Sequence, residues 1–328
     1  MDAGFDFNFY IVDYIKPTAG PNTGGDPINV IGGGFKNSTK VRCQLDKVDF
    51  APVSIDEHLI KCPMPQVYRA NFTGPVDLAV MLNGIDPKSY PNGFYYYEQP
   101  TVDSIYPKRG PNKGNALVKV FGNGFRNDFP GADLGCKIGD AKGKGELVSN
   151  SQMNCYFPRL PLIESNVTMN FAVALNDYSF TEAKADLQFT PYGIIQIDPS
   201  SGPMAGNTRI SVKGSGFFKA EKIRCRFGVP GYYYYTEAEL IDYNTIVCNS
   251  PEDFRVPIAG QLPFSVPFSI SFNDDEFHPW TETSHFFSFY DNYELESLTP
   301  LEGSTKSTTE VKIFASAEKP FSMRKNNY

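Results

Sequence analysis

Six cysteines are the residues best placed for covalent chemistry: Cys43 and Cys62, Cys136 and Cys155, Cys225 and Cys248, separated by 19, 19 and 23 residues. One pair falls in each of three sequence repeats. Repeats that share a plan should meet the same geometric demand in the same way, so pairing within each repeat is predicted. No Cys-x-x-Cys knuckle occurs, which removes the usual zinc spacing. Oxidised loops of this length each contribute roughly 3 kcal/mol and imply an oxidising compartment. Three pairs of buried thiols in a cytosolic chain are the competing reading; disulfides are carried forward.

Other reactive side chains form no site. His58, His278 and His285 are the only histidines, and none stands in a nucleophile motif such as Gly-x-Ser-x-Gly. They read as ordinary surface or core histidines. Gly139-Asp-Ala-Lys-Gly143-Lys144-Gly145 has the look of a phosphate loop. It is one residue short and carries Gly145 where a metal-holding Ser or Thr is required, so it reads as a turn. Asp274-Asp275-Glu276 lacks the alternating ligands of a calcium loop and reads as a solvated turn. No enzyme activity, metal or cofactor is predicted. Asn37, Asn71 and Asn166 head Asn-x-Ser/Thr sequons and are glycosylation candidates if the compartment is secretory. Tyr232, Tyr233, Tyr234 and Tyr235, in an insertion that lengthens the third cysteine loop, are candidates for a contact loop. The alternative for them is a strand with one tyrosine face in the core. Phe94–Tyr97 is read instead as closing the first core.

The elements that must position these residues follow one plan. Pro17, Gly20 and Pro21 lead through a short apolar alternation to Gly34–Phe35. The same order returns at Pro107, Gly110, Pro111 and Gly124–Phe125, and at Pro199, Gly202, Pro203 and Gly216–Phe217, at intervals of 90 and 92 residues. A fixed period of this size means tandem domains. Period-two apolar runs such as Val41, Cys43 and Leu45 predict strands, and Pro63 is predicted to stop the strand that carries Cys62. Apolar strands run into Asn83-Gly84, Asn176-Asp177 and Asn273-Asp274, one equivalent turn in each repeat, the first with a hairpin signature. No segment has a sustained 3.6-residue stripe. Each unit is predicted to be an antiparallel sandwich of about seven strands.

This order of Pro-x-x-Gly-Pro, x-Gly-x-Gly-Phe, paired cysteines with a following proline, and a closing aromatic strand resembles the IPT/TIG family of immunoglobulin-like domains, in its cysteine-paired extracellular form. The resemblance implies three tandem all-β sandwiches over 11–99, 100–192 and 193–290, flanked by a terminal strand at 1–10 and the opening strands of a fourth, incomplete unit at 291–328. It implies a setting outside the cell or at its surface, and names no activity.

Net charge is −7 and no Lys/Arg run exceeds two residues, so a nucleic-acid partner is excluded. No run of 18 apolar residues exists to enter a membrane. The N-terminus lacks a signal-peptide pattern, which leaves a secreted chain as a mature product or an excerpt. The two end segments suggest a function. Phe5, Phe7, Phe9 and Tyr10 at one end, with Val311, Ile313 and Phe314 at the other, are candidates for strand-to-strand assembly between copies. The leading expectation is therefore a structural protomer of a head-to-tail surface filament or fibril. The alternative is an excerpt of a multi-domain adhesion or receptor ectodomain, with another surface protein as partner.

Overall fold

The computed structural model describes residues 9–66, 71–162, 168–255, 264–273, 275, 278–282, 284–292, 295–306 and 308–315 of the 328-residue chain. All regular elements among them are strands. The chain divides into two compact units. One (Met1–Gly110, Asn115–Pro161, Thr168–Thr190) holds the first and second repeats; the other (Pro111–Gly114, Leu162–Val167, Pro191–Tyr328) holds the third and a terminal hairpin.

The first repeat contains β1 (Ile11–Lys16), β2 (Ala19–Pro21), β3 (Gly25–Gly33), β4 (Arg42–Leu45), β5 (Val48–Phe50), β6 (Ser54–Ile55), β7 (Leu59–Met64), β8 (Gly74–Met81) and β9 (Pro87–Tyr97). They form two sheets, β1-β3-β7-β6 and β2-β9-β8-β4-β5. Successive strand residues point to opposite faces, so Ile28 and Val30, Cys43 and Leu45, Ile60 and Cys62, and Leu78 and Val80 meet between the sheets as one buried core.

The repeated motifs have steric causes. After β1 pairs with β3, the Pro17-x-x-Gly20-Pro21 segment crosses to the other sheet, where β2 runs parallel to β9 with Gly20 beside Tyr96. A side chain at Gly20 would meet the Phe94 ring at 2.9 Å. Gly110 lies in the same way against Phe189 (2.8 Å), and Gly202 against Phe287 (3.0 Å). The Gly-Phe turn works differently. Gly34, Gly124 and Gly216 have φ of +74°, +82° and +72°, a region open to glycine at little cost. That turn sends Phe35, Phe125 and Phe217 back into the core.

The second repeat contains β10 (Thr101–Tyr106), β11 (Arg109–Pro111), β12 (Lys113–Asn123), β13 (Gly135–Ile138), β14 (Ala141–Ser149), β15 (Gln152–Arg159), β16 (Met169–Ala174) and β17 (Gln188–Asp198). Only the first part of β17 pairs with β16; Gly193–Asp198 belongs to the third repeat. That repeat continues with β18 (Ser201–Pro203), β19 (Arg209–Ser215), β20 (Ile223–Val229), β21 (Tyr232–Asp242), β22 (Thr245–Asn249), β23 (Phe264–Phe272) and β24 (His285–Tyr290). Here the two sheets are not separate. β14 pairs first with β13 and then with β15, and β21 pairs first with β20 and then with β22.

Several sequence expectations need correction. Pro63 does not end its strand: β7 continues to Met64, because Pro63 lies at the register shift between Cys62 and Gly25's partner Met64, where the β3 ladder is already irregular. Asn83-Gly84 is not a two-residue hairpin loop. β8 and β9 are joined by residues 82–86, and Asn83 Oδ1 accepts the amides of Ile85 and Asp86, both at 2.9 Å. The turn proposed at Gly139–Gly145 is short, and β14 begins at Ala141. A side chain at Gly143 would meet the Phe157 ring, and one at Gly145 would meet Met153, so both positions favour glycine through close packing. At the N-terminal end Phe5 and Phe7 lie outside the described residues. Phe9 and Tyr10 precede the first strand among the described residues, which starts at Ile11.

Candidate interaction surface

The three cysteine pairs are joined as disulfides, β4 to β7, β13 to β15 and β20 to β22, with Cα–Cα distances of 5.7, 6.0 and 6.6 Å. Each cysteine sits at an inward position of its strand, so each bond spans the two faces of a core. Fixing both faces of a small core leaves the outward faces as a rigid platform. One of those faces carries an unusual set of side chains.

The tyrosine run is a strand, not a loop. After the Pro230-Gly231 turn, with Gly231 at φ +87°, β21 returns along β20 with Tyr232 opposite Val229, Tyr233 opposite Gly228, Tyr234 opposite Phe227 and Tyr235 opposite Arg226. Alternation therefore separates the run. Tyr234 turns inward and packs on Phe254 with ring centroids 4.8 Å apart. Tyr233 and Tyr235 turn outward with Arg226 and Arg224. Tyr232 and Tyr235 are 56% and 47% exposed.

A second segment completes this face. Ser271 Oγ, on β23, donates to the His278 carbonyl at 2.8 Å. Thr281 N donates to the Ile270 carbonyl at 2.9 Å, and Ile270 N to Thr281 Oγ1 at 3.1 Å. Asp275 Oδ1 accepts the His278 amide at 2.8 Å. These bonds tie residues 278–281 to β23 and set Trp280 against the two arginines. The Arg226 guanidinium lies 4.4 Å from the Tyr233 ring centroid and 4.6 Å from that of Trp280. Arg224 lies 5.2 Å from Tyr235 and 5.7 Å from Trp280. All four distances are within cation–π range. Arg226 Nε donates to Ser269 Oγ at 2.9 Å. Burial draws the Arg226 guanidinium below its ordinary value, opposed by the neighbouring tyrosines. The result is a preorganised aromatic and cationic ladder at the surface.

The first unit uses its aromatics in the opposite way. Tyr95 stacks on Phe129 at 5.2 Å, and Tyr97 lies 5.1 Å from the same ring. Tyr97 and Ala19, from the first repeat, are buried in the core of the second. Asn176, itself buried, donates from Nδ2 to the Ala19 carbonyl at 2.7 Å and accepts the Tyr178 and Ser179 amides at 3.0 and 2.8 Å. These contacts make a joint between the two repeats.

The remaining candidates are scattered. Asn37 and Asn71 are exposed, and Asn71 has φ +59°; Asn166 lies outside the described residues. Val311, Ile313 and Phe314 are exposed on or beside β26 (Lys312–Ala315), which pairs with β25 (Leu295–Thr299) in a hairpin. His58 Nδ1 lies 3.1 Å from the Gly32 carbonyl and His285 Nε2 3.0 Å from that of Ile195. Sequence reasoning missed Arg224, Arg226 and Trp280. The alternation Arg224-Cys225-Arg226 was a usable signal, because an inward cysteine forces both arginines outward. Nothing local linked Trp280 to them.

The IPT/TIG domain profile matches residues 11–97, 100–190 and 192–277. Human fibrocystin-L is 24% identical over 249 residues, which cover 73% of this chain and 5% of that protein. Human plexin-A3 is 21% identical over 261 residues, covering 74% of this chain and 13% of that protein. The chain thus corresponds to a small part of the relatives it matches. The full extracellular region of plexin A4 aligns with 92% of this chain and 27% of that one, at 18% identity and a TM-score of 0.37. Disulfide-tied sandwiches of this kind belong to the extracellular space or the cell surface. On its motifs, its three sandwiches and the profile match over most of its length, the chain belongs to the IPT/TIG family.

Proposed function

We propose that this chain is a non-enzymatic segment of a cell-surface adhesion or receptor ectodomain, and that it recognises another surface protein. The observation that carries this reading is the outward face of the β20–β21 pair. Tyrosines and arginines there, with Trp280, form a preorganised surface, and Tyr, Trp and Arg are the side chains that dominate binding energy at protein interfaces. Fibrocystin-L and plexin-A3 as relatives support the ectodomain setting. Filament assembly, the leading expectation from the end segments, finds no support in these comparisons and is set aside in favour of its alternative.

The proposed domain limits are 11–99, 100–192 and 193–290, with a fourth, incomplete unit opening at residue 291. The β25–β26 hairpin supports that fourth unit. Its register shifts between Leu295 and Ser297, as that of β1–β3 shifts between Val12 and Tyr14 and that of β10–β12 between Val102 and Ser104. The exposed Asn37 and Asn71 are proposed glycan sites, readable by mass spectrometry of the secreted chain.

The test is staining of a panel of cell lines with fluorescent tetramers of the chain, alongside sedimentation velocity of the untagged chain. Saturable staining that protease treatment of the cells removes, with a monomer in solution, is expected. Absence of staining across the panel, or polymers in solution, overturns the reading.

A further inference from the structure

We infer that Arg226 is the anchor point for a single carboxylate, an aspartate or glutamate side chain that a protein partner presents beside an apolar residue. This rests on the recognition reading above and adds the chemistry of the partner.

The geometry restricts how Arg226 can be approached. Tyr233 and Trp280 pack against its guanidinium, with ring centroids at 4.4 and 4.6 Å. Ser269 Oγ accepts the hydrogen bond from Nε–H. What remains is the in-plane fork of terminal N–H groups, for which no protein acceptor occurs among the described residues. A planar fork held in one orientation matches a carboxylate with two parallel hydrogen bonds. Fixing the side chain beforehand also removes the rotamer entropy that binding would otherwise cost.

Charge points to the same occupant. The chain is acidic, with net charge −7, yet Arg226 forms no ion pair among the described residues. Half-buried and drawn below its ordinary pKa by that burial, it gains from an incoming anion. The anion is a single one: exposed Glu237 stands opposite Arg224 on the same face, and Glu239 lies two residues further on. A polyanionic glycan needs a row of cations, and here acids interrupt it. The exposed ring of Tyr235, directly opposite Arg226 on the neighbouring strand, supplies the apolar contact area that a peptide-borne acid brings its neighbours to meet.

Trp280 is the only tryptophan in the chain, so its emission reports this site alone. The test selects random heptapeptides displayed on phage against the full chain. The peptides recovered, and heparin in parallel, are then titrated while Trp280 emission is followed. Binders with one Asp or Glu next to an aromatic or aliphatic residue are expected. They should shift Trp280 emission and weaken roughly tenfold or more when their acid becomes the amide or when the chain carries Arg226→Lys, since a charge-assisted pair is lost in each case. Ser269→Ala, which frees the guanidinium without removing it, should weaken them less. Unchanged melting of both variants shows that the fold is intact. Binders without an acid, equal affinity for Arg226→Lys, no binders at all, or heparin alone saturating the Trp280 signal would each overturn the inference. Cell staining that survives Arg226→Lys defeats this inference and leaves the recognition reading standing. Absent staining with intact, Arg226-dependent peptide binding does the reverse.

Discussion

Two runs of four aromatic residues, Phe94–Tyr97 and Tyr232–Tyr235, have nearly the same composition and opposite fates. In the first run Phe94, Tyr96 and Tyr97 are at most 2% exposed. In the second, Tyr232 and Tyr235 are about half exposed, and only Tyr234 packs in the core. Both runs are paired strand segments, Phe94–Tyr97 with β2 and β8 and Tyr232–Tyr235 with β20. The difference lies in what covers their faces. One side of β9 packs on its own sandwich, and on the other Tyr95 and Tyr97 meet Phe129 of the following repeat. β21 has a core on one side and, on the other, two arginines and an indole that leave the tyrosine edges open. Aromatic strands become joints when a neighbouring sandwich seats on them and open faces when cations fill the outward positions.

The largest effect that could break this comparison is Tyr97→Ala. Removing a fully buried aromatic ring costs roughly 3–5 kcal/mol. Because Tyr97 lies in the core of the second repeat, hydrogen exchange should show β10 and β12 losing protection together with β9. Loss confined to the first repeat would mean that the joint is not shared. Next comes the disulfide of the second repeat. Cys136→Ala with Cys155→Ala should lower stability by about 3 kcal/mol for a loop of this length, read from urea denaturation of the oxidised chain. An unchanged midpoint would show that the tie across this core adds nothing to its stability.

The joint's polar part should matter less but measurably. Asn176→Ala removes the donor to the Ala19 carbonyl inside a buried contact and should cost about 1–3 kcal/mol. Asn83→Ala, at the equivalent but exposed turn, should cost well under that; equal losses would erase the distinction between the two turns. Alkaline titration sharpens the same contrast. Burial pushes the Tyr96 hydroxyl, which donates to the Pro65 carbonyl at 3.0 Å, from 10.0 up to about 12. The folded state holds its proton more tightly than the unfolded chain. The stability this provides is therefore complete below pH 10 and is lost as pH rises toward 12. Denaturation monitored between those values should show the fall, and a flat profile would contradict it. The smallest effect is Tyr235→Ala, at an exposed position, which should change stability by no more than about 0.5 kcal/mol.

Much of this was legible from residue order. The repeat period, the sandwich class, the partnered cysteines and the turn glycines all follow from local sterics and alternation. Gly20 was recognisable as a motif glycine, though the ring of Phe94 against it was not. Asn83, Asn176 and Asn273 were correctly grouped as turn residues, yet they bond differently. Asn176 reaches Ala19 of another repeat, and Asn273 Oδ1 instead accepts the Glu221 and Lys222 amides at 3.1 and 3.3 Å. For the tyrosines, composition suggested a contact element, and alternation would have divided inward Tyr234 from outward Tyr233 and Tyr235. The strand alternative holds and the loop does not, because the extra residues of the third repeat lengthen β20 and β21 themselves and leave a short turn between them.

The sequence by itself determined the number of units, their strand content and their cysteine ties, because these depend on periodicity two, on glycine geometry and on spacing along one chain. The tertiary structure alone decided which aromatic run is a joint and which is a face. It also brought Trp280 to Arg226 across 54 residues, through the hydrogen bonds of Ser271 and Thr281 that fold the 278–281 segment onto β23. Burial and cation–π geometry depend on neighbours that residue order does not specify.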